Sequence, residues 1–325
     1  MISFATSDST IWNRDQFIIE VVTAMVSGAP TISLGTRGEG PCAESLGLYA
    51  LLDQLCLKFG YDKQRITLHT CNLAERHSEY NITIVPQVMY LNAARGYATP
   101  DTKKNWSNIK HFGHFIGHGN QYRLATASVL HAEHADKTLQ TYHCNPTDPY
   151  HRSFIGLEDM MFNGATHSEI TAAVELIKQA PMVQDNIDQY PILNPVTLNI
   201  TRMYPTFFVE IVNLTYWSGD TFYLDEKIWR PILMRTPFIV QGPQNFILRL
   251  RELGFRTFHD YWDEGYSEDP APCHTPAIHT VLQGLSTKPI SELQNMYHDM
   301  TDTLEHNYHL FKTITPAQLA LVCQK

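Results

Sequence analysis

The sequence predicts an α/β protein built as two successive parallel-sheet units followed by a helical tail. Short β-like runs alternate with amphipathic helical patterns over the first hundred residues, and the alternation restarts after a Pro-, Thr-, Asp- and Lys-rich stretch at 97–105. Strand–helix alternation with short connections is the mark of a parallel sheet covered by helices. The division expected is 1–105, 106–270 and a tail at 271–325.

In the first unit, Ile2–Ala5 reads as a strand, 15–25 as a helix and 31–34 as a second strand. A Gly-rich loop at 35–41 leads into a helix expected over 43–59, with Leu46, Tyr49, Ala50, Leu52 and Leu55 as its inward stripe. Another strand follows at 66–69. In the second unit, 111–116 and 138–144 read as strands around a helix at 122–134, and 154–180 as less regular helix. The strongly β-like run 206–212 reads as a central buried strand. A short helix at 225–233, a strand at 237–241 and a helix at 242–253 complete the unit, the last with Ile247, Leu248, Leu250 and Leu253 inward. The stretch 290–324 reads as two polar-faced helices.

Composition narrows the function classes. With 24 Lys+Arg against 33 Asp+Glu the formal charge is −9, and 43% of residues are hydrophobic, which excludes a disordered polymer. The negative balance weighs against the simplest nucleic-acid binder, a clearly basic domain. No run of eighteen apolar residues suggests a membrane helix, and the N-terminus lacks the basic and apolar regions of a signal peptide. Six dispersed cysteines without a Cys-x-x-Cys pair suit a reducing, cytoplasmic setting.

In parallel α/β sheets ligands bind beyond the carboxyl ends of the strands, in crevices, so the loops 35–41, 70–75, 117–123, 144–152 and 213–227 are the places to search. Seven of the sixteen histidines fall between His111 and His151. A zinc site needs a ligand spacing that recurs on one face; His111 and His114, three apart in a strand, point to opposite faces. Gly35-x-x-Gly38-x-Gly40 lies between strand and helix but is not the dinucleotide Gly-x-Gly-x-x-Gly, and no P-loop or Gly-x-Ser-x-Gly elbow occurs. In the 117–120 loop, Gly117 and His118 precede a helix whose first turn carries Arg123, placed to hold an anion. The densest stretch is Asp225-Glu226-Lys227-Ile228-Trp229-Arg230-Pro231. Its residues suit a nucleoside-diphosphate grip, in which a carboxylate accepts from a ribose diol while Lys and Arg neutralise the pyrophosphate. Equally, Glu226 and Arg230 could be a solvated i, i+4 pair.

The run from Tyr223 through Glu226, Lys227, Trp229 and Arg230 to Pro237 and Gly242 resembles the Glu-Lys donor motif of GT-B-fold glycosyltransferases, and of fucosyltransferases in particular. More broadly, Glu226–Pro231, Pro237–Gly242, Leu250–Phe258 and Trp262–Glu264 resemble a family of glycosyltransferase-type proteins of tailed bacteriophages, over roughly residues 30–265. Asp225 and Ile228 stand where that pattern has Thr, and Leu214 where it often has Glu.

The resemblance implies a GT-B-like pair of Rossmann-like domains and transfer of a sugar from a nucleotide-diphosphate donor to a hydroxyl. It implies donor contacts from Gly117, His118, Arg123, Glu226, Lys227 and Arg230. Glu39 is the expected proton acceptor if the reaction inverts, with Arg37 and Asn72 on the acceptor side. No cofactor is expected, and without an Asp-x-Asp clamp no metal. Phage relatives point to 5-hydroxymethylcytosine in DNA as acceptor, in the infected host's cytoplasm, with Lys103, Lys104, Lys110 and Arg152 as the candidate basic patch. A surface glycan, a small molecule or a non-catalytic nucleotide-binding module are the alternatives.

Overall fold

Among the described residues two four-stranded sheets form, and in each every neighbouring pair of strands is parallel. They belong to a computed structural model that describes residues 1–5, 14–36, 40–86, 89–96, 102–117, 119–142, 153–180, 182, 199–217 and 219–322. The chain divides into a unit of residues 1–89, 216–225 and 314–325 and a unit of residues 90–215 and 226–313. These are two α/β units, as the alternation predicts, and each is Rossmann-like in its parallel sheet and covering helices, as the resemblance implies.

The first unit runs β1 (Ile2–Ala5), α1 (Arg14–Val26), β2 (Ile32–Thr36), α2 (Leu48–Phe59), β3 (Ile66–Thr70) and β4 (Asn81–Ile84), with the strands in the order β1-β2-β3-β4. Strand alternation sends Ile32, Leu34, Ile66 and Leu68 to the core, where Phe17 and Val21 of α1 and Leu48, Leu52 and Leu55 of α2 cover them. The helix expected from 43 begins only at Leu48. Gly47 takes a left-handed φ of 68°, open to glycine without penalty, and residues 43–47 form a turn instead. Of the expected inward stripe Tyr49, Leu52 and Leu55 are buried, joined by Leu48 and Leu51, while Leu46 is half-buried and Ala50 exposed. Strand β4, which the sequence does not announce, is a short edge strand.

In the second unit α3 (Met89–Gly96) leads to β5 (Lys110–Ile116), α4 (Gln121–Glu133), β6 (Thr138–Tyr142), α5 (Ser153–Phe162) and α6 (His167–Gln179). A 3-10 turn at Asn199–Thr206 precedes β7 (Phe207–Asn213), α7 (Glu226–Leu233), β8 (Phe238–Gln241) and α8 (Phe246–Glu252). The strand order β6-β5-β7-β8 puts β7 inside the sheet, and all seven of its residues are buried, as its apolar run predicts. Helix α8 starts four residues later than expected, after Asn245 at φ 63°; Leu248 is 44% exposed, while Ile247 and Leu250 are buried as expected. The expected pair of C-terminal helices is three, α10 (Ile290–Asp299), α11 (Thr301–Thr313) and α12 (Pro316–Val322), and α9 (Ala271–Ser286) precedes them. Among the described residues no helix is long and apolar enough to cross a membrane.

Candidate functional site

Chain order reverses direction in the second sheet between β5 and β7: β5 is followed by β6 on one side, then the chain returns to lay β7 on the other. At such a switch point the helices that follow the two strands leave on opposite faces and open a crevice at the carboxyl ends. Arg123 spans this place. Asn120 caps α4, its Oδ1 accepting from the Arg123 amide at 2.9 Å, and the Arg123 guanidinium donates to the Asn213 carbonyl at 3.4 Å and to Thr215 Oγ1 at 3.3 Å. A side chain from the start of one helix is thus tied to the end of the neighbouring strand. Gly156 lets α5 approach, since a Cβ there would lie 3.0 Å from the Asn120 carbonyl carbon. Gly117 is half-buried at the end of β5, and His118 lies outside the described residues.

Under α4 each strand of the sheet contributes one buried polar side chain: Gln140 from β6, His114 from β5, Asn213 from β7 and Gln241 from β8. Asn213 Nδ2 lies 2.7 Å from His114 Nε2, and Gln140 Nε2 lies 3.3 Å from His114 Nδ1. Gln241 accepts from Thr126 of α4 at 2.5 Å and donates to Thr275 of α9 at 2.8 Å. Burial, reinforced by the Arg123 charge, pushes His114 down to about 3, so the imidazole is neutral. His111 and His114 do face opposite ways; His111 Nε2 meets the Lys288 carbonyl at 3.0 Å. Among the described residues no group of three or more His, Cys, Asp or Glu side chains could hold a metal ion.

Glu210 precedes Asn213 by three residues in β7 and so points to the other face. There it forms a buried ion pair with Arg230 of α7 at 3.2 Å and accepts from the Tyr204 hydroxyl at 2.5 Å. Lys104 is buried beneath them, its ammonium donating to the Tyr204 and Phe207 carbonyls, both at 2.8 Å, and to Thr236 Oγ1 at 2.9 Å. At the start of α7, Glu226 accepts from Lys227 at 2.7 Å. Burial pushes the Glu226 carboxyl up, but Lys227 and then Arg230 outweigh it and hold it below the usual carboxylate range. Glu210, more deeply enclosed, is raised by burial in spite of Arg230.

The structure therefore sets Arg230 against β7 through Glu210, with Glu226 and Lys227 at the start of the same helix, and puts Arg123 at the strand's end; Glu226, Arg230 and Arg123 are all buried. Lys104 is corrected outright: three protein acceptors surround its buried amine and leave it no N–H for a phosphate backbone. Lys110 reaches the Asp136 carbonyl, and Arg152 lies outside the described residues.

Arg37 and Glu39 also lie outside the described residues. Asn72 is fully buried in the first unit. Its Oδ1 accepts from the Ala74 and Phe222 amides, and its Nδ2 donates to Glu75 and to the Asp220 carbonyl, so it brackets the segment 219–222. The Glu75 carboxylate, 3% exposed, also accepts from the Ala43 amide at 3.0 Å and the Tyr49 hydroxyl at 2.8 Å. Gly40 must be a glycine for this packing, because a Cβ there would fall 2.3 Å from the Asn72 nitrogen.

No protein-family model matches the chain, and no curated protein matches it. Among solved structures the chain is similar to the trehalose-6-phosphate synthase OtsA at 12% identity and a TM-score of 0.42, over 96% of this chain and 72% of that one. A likeness of that strength carries no weight in assigning a function.

Other motif residues prove to be scaffold. Arg251 donates to Glu264 at 2.6 Å and to Thr257 at 2.7 Å, and Glu264 accepts from the Phe258 amide at 2.9 Å, so Leu250–Phe258 and Trp262–Glu264 close on each other. Gly242 faces Leu214, whose Cδ1 would lie 2.6 Å from a Cβ there. The residues that sequence reasoning missed are Tyr204, Glu210 and His114 in its buried role. Glu210 carried a signal: a single carboxylate within a strand of otherwise apolar residues needs a cation or a donor beside it.

Proposed function

We propose that the protein is a nucleotide-sugar-dependent glycosyltransferase of the GT-B type, transferring a sugar to a hydroxyl acceptor without a metal. The observation that carries the reading is Arg123 bridging the switch point between β5 and β7, with the Glu226–Lys227–Arg230 cluster on the helix after β7. In this reading Glu226 accepts from the ribose diol, and Lys227, Arg230, Arg123 and the Gly117–His118 loop receive the diphosphate. The acceptor oxygen attacks the anomeric carbon as the bond to the β-phosphate oxygen breaks. The departing nucleoside diphosphate gains negative charge that the cations stabilise. The hydroxyl proton passes to Glu39 if configuration inverts; Arg37 and Asn72 belong to the acceptor side, Asn72 by holding the segment 219–222 in place.

As acceptor we propose 5-hydroxymethylcytosine in phage DNA, a choice supported by the motif resemblance. The test incubates the protein with UDP-, GDP-, ADP- and dTDP-sugars and either hydroxymethylated or plain DNA. A hexose-sized mass shift on the hydroxymethylated nucleoside is expected. Released nucleoside diphosphate without that shift moves the acceptor to a glycan or small molecule; binding without release leaves a nucleotide-binding module. Because a ligand stabilises the state that binds it, the matching donor raises the Tm. Glu226→Ala is expected to weaken the donor by at least about tenfold, the effect of losing a charge-assisted hydrogen bond.

A further inference from the structure

His111 and His134, from the histidine-rich stretch of the sequence, take no part in the donor contacts above. Both are buried, and they flank Phe112, whose ring centroid lies 5.8 Å from each of theirs. A third ring, the half-buried His279, comes from α9, the helix that packs on α4, and lies within reach of the His134 charge. Its Nε2 is enclosed and among the described residues has no hydrogen-bond partner. The same place fastens the carboxyl end of α9. His111 Nε2 donates to the Lys288 carbonyl at 3.0 Å, and Lys137 Nζ donates to the Ser286 carbonyl at 2.8 Å. A carbonyl only accepts, so neutral His111 carries its hydrogen on Nε2 and takes up a second on Nδ1.

Charges of both signs face these rings. Lys137 and Asp136 stand beside His111 and His134, Glu133 acts on His134 and His279, and Glu169 of α6 acts on His279. Lys110 is engaged by the Asp136 carbonyl, and the Lys288 ammonium by Glu292. Burial dominates: it holds all three imidazoles below their ordinary 6.5, and the acids offset only part of that. Below 6.5 an opened joint therefore binds more protons than a docked one, and acid favours opening.

We propose that His111, His134 and His279 make the docking of α9 on α4 a proton-sensitive joint, closed while the rings are neutral and loosened when they are charged. Closure needs neutral rings because imidazolium groups here stand beside Lys137 and beside one another, away from water. The release is local. Strand β7, buried along its whole length, holds no histidine and stays paired. The joint is independent of the donor reading.

Hydrogen exchange of the full chain tests this, read by mass spectrometry on peptides from α9 and β7 between about pH 8 and about pH 5, with intrinsic exchange corrected for. The readout is the ratio of α9 protection to β7 protection, which cancels general loosening in acid. It is expected to fall at least about tenfold, the effect of one proton held one pH unit more weakly in the docked form. With His111→Gln, His134→Gln and His279→Gln combined, the ratio stays flat whatever its starting level. Glutamine keeps a donor for the Lys288 carbonyl but takes up no proton. A wild-type ratio constant across the range overturns the proposal, as does a triple variant that loses protection in acid as the wild type does. Should the triple variant fail to fold, Glu133→Gln, at an exposed position, carries the test. It removes an acid that acts on His134 and His279, so the acid response must steepen. A response equal to or weaker than the wild type's overturns the proposal.

Discussion

Glu75 in the first unit and Glu210 in the second are 3% and 1% exposed, but different chemistry surrounds them. Around Glu75 stand neutral donors, a backbone amide, a tyrosine hydroxyl and a carboxamide. They satisfy its lone pairs without cancelling its charge, and burial raises its carboxyl. Around Glu210 stand Arg230 and, more distantly, Lys104, whose own amine burial pushes well below its ordinary value. The first arrangement ties down a loop and asks nothing of a ligand. The second concentrates cations behind Glu226 and Lys227. A neutral cradle is a staple, whereas an alternating series of charges is the raw material of an anion site.

The largest expected effect comes from removing one charge of the second arrangement. Arg230→Ala strands Glu210 in the core and should cost about 3–5 kcal/mol in urea denaturation, while replacing both partners by methionine should recover most of that loss. A loss no greater than that of a surface substitution would break the contrast.

In the first unit the matching change is Asn72→Ala. It leaves the buried Ala74 and Phe222 amides without their acceptor, and about 2–3 kcal/mol of destabilisation is expected, with no dependence on salt. A strong salt effect would mean that charge matters there after all.

The smallest effects lie in pH dependence and have opposite signs. Glu75 titrates above its ordinary 4.5 when folded, so between 4.5 and that folded value the folded state binds more proton than the unfolded one. Its contribution is greatest at low pH and is lost as pH rises from 4.5 through the folded value. Glu226 titrates below 4.5 when folded, so its contribution is present above 4.5 and is lost as pH falls through the lower folded value. Glu75→Gln should therefore match or exceed wild-type stability at pH 7. Glu226→Gln should be the less stable by about 1–2 kcal/mol there and converge with wild type in acid. Urea midpoints from pH 3 to 8 would sharpen the comparison, and a common sign for both variants would end it.

Much of this was legible in the residues. The run Phe207–Val212, apolar but for Glu210, announced an interior strand because a strand covered on both faces is apolar on both. Glu226 and Lys227 stood out as charges at a helix start after a strand. Boundaries failed where a backbone conformation intervened: Gly47 and Asn245 adopt positive φ and delay α2 and α8. Lys104 was misread because a lysine's surroundings, unlike its charge, are not written in its neighbours. Its three acceptors come from Tyr204, Phe207 and Thr236, at least a hundred positions away.

Local pattern by itself determined that there are two parallel α/β units, because period and turn chemistry act over a few residues. It also determined which stretch carries the charges suited to a diphosphate. Only the tertiary structure decided that residues 216–225 belong with the first unit, through hydrogen bonds that Asn72 makes to positions some 150 residues on. It alone decided that Arg230 leans on Glu210 and that Arg123 reaches the end of β7. Burial and partnership depend on which distant segments share a strand's faces, and pairing between strands far apart in the chain is what sets them.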